Sequence, residues 1–248
     1  MMKLGVFDSG VGGLSVLKSL LQTHFFKEYI YYGDTARVPY GVKDKNTIIK
    51  FSLEALDFFK TKQVDMLVVA CNTVSAHALE ILRSNANFPV LGVIDAGILA
   101  TKNTLLDKES KILVIATKAT VDSHEYKKGL NKEGFFNIEE RATGLFVPMV
   151  EEGIFQGYFL ESAFKYYFDN LTYIPDALIL ACTHFPLISS SLQQYFGNNT
   201  KLIHSGEAMA LQLKQEYDLR EKYKDIKLSF FASSDEKKLR DIAKLWLD

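Results

Sequence analysis

Short runs of Val, Ile, Leu and Tyr alternate along the chain with longer stretches in which apolar residues return every three or four positions. That alternation marks strands followed by amphipathic helices. Strands are predicted near 3–7, 28–32, 66–70, 90–94, 111–116, 137–142, 177–181, 201–204 and 226–232. Helices are predicted near 14–23, 45–62, 74–86, 96–106, 123–132, 158–169, 187–196, 206–218 and 235–247. The strand runs are mostly continuous rather than alternating, which requires burial on both faces of a parallel sheet. The fold class that follows is α/β and doubly wound. Near the end, Ser234-Asp235-Glu236 reads as a helix start, after which Leu239, Ile242, Ala243 and Trp246 share one face that needs a surface to pack on. The Tyr and Phe residues of Tyr158 to Phe168 read as the packed face of a helix.

One nine-residue unit occurs twice. Asp65-Met66-Leu67-Val68-Val69-Ala70-Cys71-Asn72-Thr73 matches Asp176-Ala177-Leu178-Ile179-Leu180-Ala181-Cys182-Thr183-His184, and the two units place both cysteines of the chain, 111 residues apart, at the carboxyl end of an apolar strand. Ligands of open parallel sheets bind beyond the carboxyl ends of strands. Two like halves facing each other would therefore present one thiol from each side of a cleft. A lone cysteine ending a strand is ordinarily core; matched placement of both, each followed by polar residues, argues for chemistry. Thiols on two sides of a carbon suit inversion of a stereocentre, one group removing a proton and the other returning it to the opposite face. The thiolate is the working base, and a free thiol is only about 3% ionised at neutral pH. Half ionisation needs roughly 2 kcal/mol of help, of which a helix N-terminus behind the cysteine would supply ~0.3–2 kcal/mol. Asp8, ending the first strand, and His184, two residues past Cys182, are candidate helpers.

Composition narrows the partners. The 248 residues carry 29 basic and 30 acidic side chains and are 48% hydrophobic, so no net field gathers nucleic acid or an anionic membrane, and neither is expected as a partner. Apolar runs of about six residues fall far short of the ~18 that would span a membrane, and an acid and a glycine turn stand where a secretion signal needs its apolar run. Two cysteines make no disulfide framework, and reduced thiols in a cytoplasm are expected. No cysteine or histidine spacing fits a metal site.

Gly10-Val11-Gly12-Gly13-Leu14-Ser15 follows a strand and opens a helix, with Asp34 ending the next strand, as a dinucleotide fold would arrange them. Ser15 replaces the third glycine of that fingerprint, and the loop's amides would equally cradle a carboxylate. A nucleotide-binding module therefore stands as an alternative from a different functional class. Tyr40 and Gly41 belong to a turn-rich loop placed to border a cleft. Glu151 and Glu152 read by default as solvated acids.

Four segments together resemble the glutamate racemases, cofactor-independent enzymes that make D-glutamate for bacterial peptidoglycan. They are Gly5-Val6-Phe7-Asp8-Ser9-Gly10-Val11-Gly12-Gly13, Tyr32-Gly33-Asp34-Thr35-Ala36-Arg37-Val38-Pro39-Tyr40-Gly41, Val69-Ala70-Cys71-Asn72-Thr73 and Cys182-Thr183-His184-Phe185-Pro186-Leu187. The resemblance implies that Cys71 and Cys182 move the α-proton of L- or D-glutamate, aided by Asp8 and His184 respectively, with no cofactor and no metal. It further implies that Ser9, Tyr40, Gly41, Asn72, Thr73 and Thr183 hold the substrate's ammonium and carboxylates, that Glu151 is a further cleft acid, and that Thr117 and Thr120 close the second half-site. Two similar, pseudo-twofold-related α/β domains are implied, residues 1–97 with 209–248 and residues 98–208, with the site in the cleft between them; a homodimer is implied as well. Ala181 and Phe185 stand where the family commonly has glycine and tyrosine. An aspartate racemase or related two-cysteine racemase is the nearest alternative.

Overall fold

A computed structural model describes residues 2–217, 219 and 222–247. The chain begins β1 (Lys3–Asp8), α1 (Leu14–Leu21), β2 (Glu28–Gly33), α2 (Lys45–Lys62), β3 (Met66–Val69), α3 (Asn72–Asn85), β4 (Val90–Gly92) and α4 (Val93–Thr104). It continues through β5 (Ile112–Ala116), α5 (Lys118–Ser123), α6 (Glu125–Lys132), β6 (Ile138–Ala142), α7 (Phe146–Glu151), α8 (Tyr158–Phe168), β7 (Ala177–Ala181) and α9 (Ser189–Phe196). Then come β8 (Lys201–His204), α10 (Ser205–Glu216), β9 (Lys227–Ala232) and α11 (Glu236–Leu247).

Every expected strand forms, and the strands sort into two sheets, ordered β4-β3-β1-β2-β9 and β6-β5-β7-β8, with every pairing parallel. Each sheet has a hydrophobic cluster on either face, which is why β3, β5 and β7 are buried at every position. The edge strand β6 departs from the continuous apolar pattern. It is only partly buried and carries Glu139, Glu140 and Arg141, charges that blunt an open edge.

Local chemistry sets the helix ends. Asp44 Oδ1 accepts from Thr47 N at 3.0 Å to start α2, and Gln63 turns left-handed (φ 54°) to end it. The last helix starts from Asp235 rather than Ser234: Asp235 Oδ1 accepts from Lys238 N at 3.0 Å from a backbone with φ 50°. From there Leu239 and Ala243 are buried, with Ile242 and Trp246 packed beside them on the core of the first sheet.

Other expectations need correction. The α5 and α7 helices form where none is predicted, because six residues are too short to display a helical period. His124, left-handed at φ 56°, separates α5 from α6. Ahead of α9 the chain makes a 3-10 turn over Phe185–Ile188, whose early Pro186 is tolerated because a first turn leaves its N–H groups unbonded anyway. On α8 only Leu160, Ala163, Phe164 and Phe168 are buried, whereas Tyr158, Phe159 and Tyr166 are exposed. Residue 218 of the helix expected over 206–218 lies outside the described residues, as do positions 1 and 248. Among the described residues no helix is long and apolar enough to cross a membrane.

Candidate functional site

The repeated unit performs the same local work twice. Asp65 Oδ2 accepts from Lys3 N at the start of β1, and Asp176 Oδ2 accepts from Lys111 N just before β5, both at 2.7 Å. These bonds set β3 against β1 and β7 against β5 in like register, Phe7 opposite Val69 and Ala116 opposite Ala181. Chain continuity then delivers Cys71 beside Asp8 at one sheet end and Cys182 beside Thr117 at the other. Both thiols are free and buried, and both open on one cleft of about 380 Å³.

From the first half Ser9, Tyr40, Gly41, Asn72 and Thr73 line that cleft, and from the second half Thr117, Glu151, Thr183 and His184. Of the expected residues, two do not line it. Asp8 is fully buried, and Thr120, 2% exposed, stands behind the wall, its hydroxyl 3.3 Å from that of Thr73 and 3.1 Å from that of Thr117. Thr73 and Thr117 hydroxyls are themselves 3.0 Å apart, so three hydroxyls close a triangle across the halves. Glu151, not Glu152, faces the cleft. Sequence reading missed Val38, Pro39 and Val42 on one side and Lys118, Gly144, Val147 and Pro148 on the other. Val147 and Pro148 lie about one turn before Glu151, so recognising α7 would have found them.

Tyr40 is fixed from behind, its hydroxyl donating to Asp34, which also accepts from Arg37 Nε at 2.9 Å. Gly41 is required by proximity, since a Cβ there would lie 2.5 Å from Thr117 Cβ. Asn72 spends its Oδ1 on the Tyr126 hydroxyl at 2.7 Å, and its buried Nδ2 has no hydrogen-bond partner among the described residues.

The glycine loop has a different use from a nucleotide cradle. Its amides at Gly10 and Gly13 bond Asp8, the former at 2.9 Å to Oδ2, so the carboxylate it cradles is the chain's own. A Cβ on Gly12 would sit 2.3 Å from Thr183 Oγ1 and 2.6 Å from His184 Nδ1, and one on Gly13 would sit 2.5 Å from Asp8 Cβ. Ser15 Oγ closes the seam by donating to Thr183 O at 2.7 Å. Asp34, fully buried on Tyr40 and Arg37, has no free face for a ribose.

Burial reverses the electrostatics expected for Cys71. Although Cys71 caps α3 and donates to Ser9 Oγ at 3.4 Å, desolvation and then the charge of Asp8 push its thiol up to about 12. Burial likewise raises Asp8 above the ordinary carboxylate range, against the pull of His184 and the Gly10 amide. Behind Cys182 the structure begins with a short 3-10 turn instead of an α-helix, and the polar neighbour is His184, whose Nδ1 lies 3.8 Å from Sγ. Burial works to lower His184, but the hydrogen bonds to Cys182 and to Glu151, the latter at 3.1 Å from Nε2, outweigh it and carry the imidazole up to about 10. Glu151 is correspondingly lowered.

The His184 proton gives a direct test. Following the ring C–H signals by NMR should show His184 titrating near 10, and a transition near the ordinary 6.5 would contradict the geometry. Because the folded value lies above the unfolded one, the proton stabilises the fold fully below about 6.5, and that contribution fades as pH rises through about 10.

A family model described as Asp/Glu/Hydantoin racemase matches residues 8–213. The curated "Glutamate racemase" of Campylobacter jejuni subsp. jejuni serotype O:2 is 64% identical over 247 residues, covering 100% of this chain and 98% of that protein. A crystal structure of glutamate racemase from Campylobacter jejuni subsp. jejuni superposes with a TM-score of 0.97 at 65% identity, over 99% of this chain and 98% of that one. The glutamate racemase of Francisella tularensis subsp. tularensis SCHU S4, solved in complex with D-glutamate, gives a TM-score of 0.88 at 33% identity over 99% of this chain and 93% of that one.

Proposed function

The chain belongs to the Asp/Glu/Hydantoin racemase family and within it to the glutamate racemases, and from that premise we propose a two-thiol mechanism in which Cys71 and Cys182 invert the α-carbon of glutamate without a cofactor. The observation that carries it is the pair of free, buried thiols, one from each sheet, opening on a single cleft. One thiolate takes the α-proton and the electron pair delocalises into the adjacent carboxylate; the other thiol gives its proton to the opposite face. Atoms balance, and the thiol and thiolate exchange roles. The raised value of Cys71 fits it to wait as the proton donor, and His184 stands beside Cys182 with its Nδ1 3.8 Å from Sγ.

Around the reacting carbon, Ser9, Asn72, Thr73, Thr117 and Thr183 supply side-chain hydrogen bonds to the substrate's ends, with the Tyr40 and Gly41 backbone beside them. The unspent Nδ2 of Asn72 suits a carboxylate. Asp8 acts from beneath through Thr183, whose hydroxyl donates to its Oδ1 at 3.4 Å, and through its charge on Cys71. Thr120 holds Thr73 and Thr117 from behind, and Glu151 holds His184. We place the cleft between two units, residues 1–97 with 209–248 and residues 98–208. The product supplies bacterial peptidoglycan synthesis from the cytoplasm. The homodimer is part of the same reading.

Incubation with L-glutamate in deuterated buffer tests this without added cofactor or metal. D-Glutamate should appear with its α-position fully deuterated, since the hydrogen leaves to one thiol and returns from another that has exchanged with solvent. D-Glutamate retaining its original α-hydrogen would reject the mechanism, and a faster rate on aspartate in the same assay would reassign the substrate.

A further inference from the structure

We infer that Tyr126 is a positioning residue for the substrate carboxylate, acting through the side-chain amide of Asn72; the inference rests on the proposed reading of the cleft. An asparagine amide presents an acceptor at one end and two donors at the other, and an anion is held only by the donor end. Which end faces the cleft is settled by whatever holds the opposite one. Here the Tyr126 hydroxyl donates to Asn72 Oδ1 at 2.7 Å in a buried setting. That bond leaves Nδ2 as the end still to be satisfied, and Nδ2 is buried without a hydrogen-bond partner among the described residues while Asn72 lines the cleft. An unpaired buried amide is costly unless a ligand completes it.

The phenol is built to stay where it is. Tyr126 is 1% exposed and packs in the core of the second sheet with Ile94, Leu105 and Ile112. Gly97 on α4 makes room for it, since a Cβ there would stand 3.1 Å from the hydroxyl and from Cε1. Burial also raises the phenol's titration well above the ordinary range, so the group remains a donor. Asn72 belongs to α3, beyond the first sheet, so the bond spans the two halves. The amide is therefore turned donor-outward by a residue that never touches the substrate.

Tyr126→Phe removes the hydroxyl, and with it the donor to Asn72 Oδ1 and a hydrogen bond with Ser205. Asn72 Oδ1 then loses its partner, the amide is free to turn its oxygen to the cleft, and holding the anion through Nδ2 leaves a buried acceptor unsatisfied. The expected result is a KM for glutamate about tenfold higher in both directions, with kcat within about twofold, since binding shared by ground and transition states is lost. Asn72→Ala should raise KM by at least as much, and Asn72→Ala with Tyr126→Phe should be no worse than Asn72→Ala alone. An unchanged KM in Tyr126→Phe, or effects that multiply in the double variant, overturns the inference while leaving the thiol mechanism in place. An unchanged KM in Asn72→Ala overturns both this inference and the assignment of Asn72 to the substrate. Should Tyr126→Phe fail to fold, the side-chain amide of Asn72 in the unmodified chain, labelled with nitrogen-15, provides the same decision: one rigid amide signal that shifts on adding D-glutamate supports the role, and an indifferent or averaging signal rejects it.

Discussion

Cys71→Ser and Cys182→Ser each lower the interconversion of L- and D-glutamate by at least about a thousandfold, within the range that a positioned acid or base contributes. Serine keeps the shape of the side chain, but its hydroxyl is a far weaker acid than a thiol, so the variant can neither ionise at that position nor hand over a proton at a useful rate. The remaining thiol still faces one side of the α-carbon. Each variant should consequently retain exchange of the α-hydrogen of one enantiomer with deuterated solvent, and the two variants should prefer opposite enantiomers. Proton NMR of the α-position against time, with D- and L-glutamate run separately, reads both effects. Full racemase activity in either variant, or exchange of the same enantiomer by both, would remove the division of labour between the thiols.

Gly12→Ala has the second-largest expected effect, although residue 12 donates no reacting group. The added methyl would lie 2.3 Å from Thr183 Oγ1 and 2.6 Å from the His184 ring, so those side chains must move. Overpacking of this kind costs typically 1–3 kcal/mol of stability. The catalytic cost is of similar size, because a displacement near 1 Å at a reacting group lowers rate by about a hundredfold. A kcat about a hundredfold down, beside a melting temperature lowered by only a few degrees, is expected. Equal activity to the parent would mean that the seam between loop and histidine is looser than its contacts indicate.

The strands were legible because the sheets are parallel and covered on both faces, which writes them as unbroken apolar runs; Met66–Val69 and Ala177–Ala181 are the clearest. The same runs carried the cysteines to matching strand ends. The resemblance of four segments then supplied roles that spacing alone left open, Glu151 among them. What escaped was set by distance along the chain or by burial. Asp8 and Thr120 are cleft residues by motif, yet nothing local says whether a side chain lines a wall or stands behind it. Helix α7 escaped because six residues show no period. The glycine loop was ambiguous for a stronger reason: Gly12 is there to admit Thr183 and His184, which are more than 150 residues away, and a contact of that span leaves no trace in the loop's own sequence. The thiol of Cys71 shows the limit on electrostatics, where the helix start was visible and the opposing burial was not.

The first sheet is not finished by the first stretch of chain. Its strands β1 to β4 end at Gly92, but its edge strand β9 is Lys227–Ala232 and its covering helix α11 is Glu236–Leu247. The four strands of the second sheet, by contrast, all fall between Ile112 and His204. Synthesis on the ribosome runs from the N-terminus, so the later-encoded sheet has all its strands outside the exit tunnel while the earlier one still lacks an edge and part of its cover. During that interval β2 presents an open edge of the kind that pairs with other chains. The half that bears Asp8 and Cys71 therefore receives its edge strand and part of its cover last, although every residue lining the cleft is already made by His184.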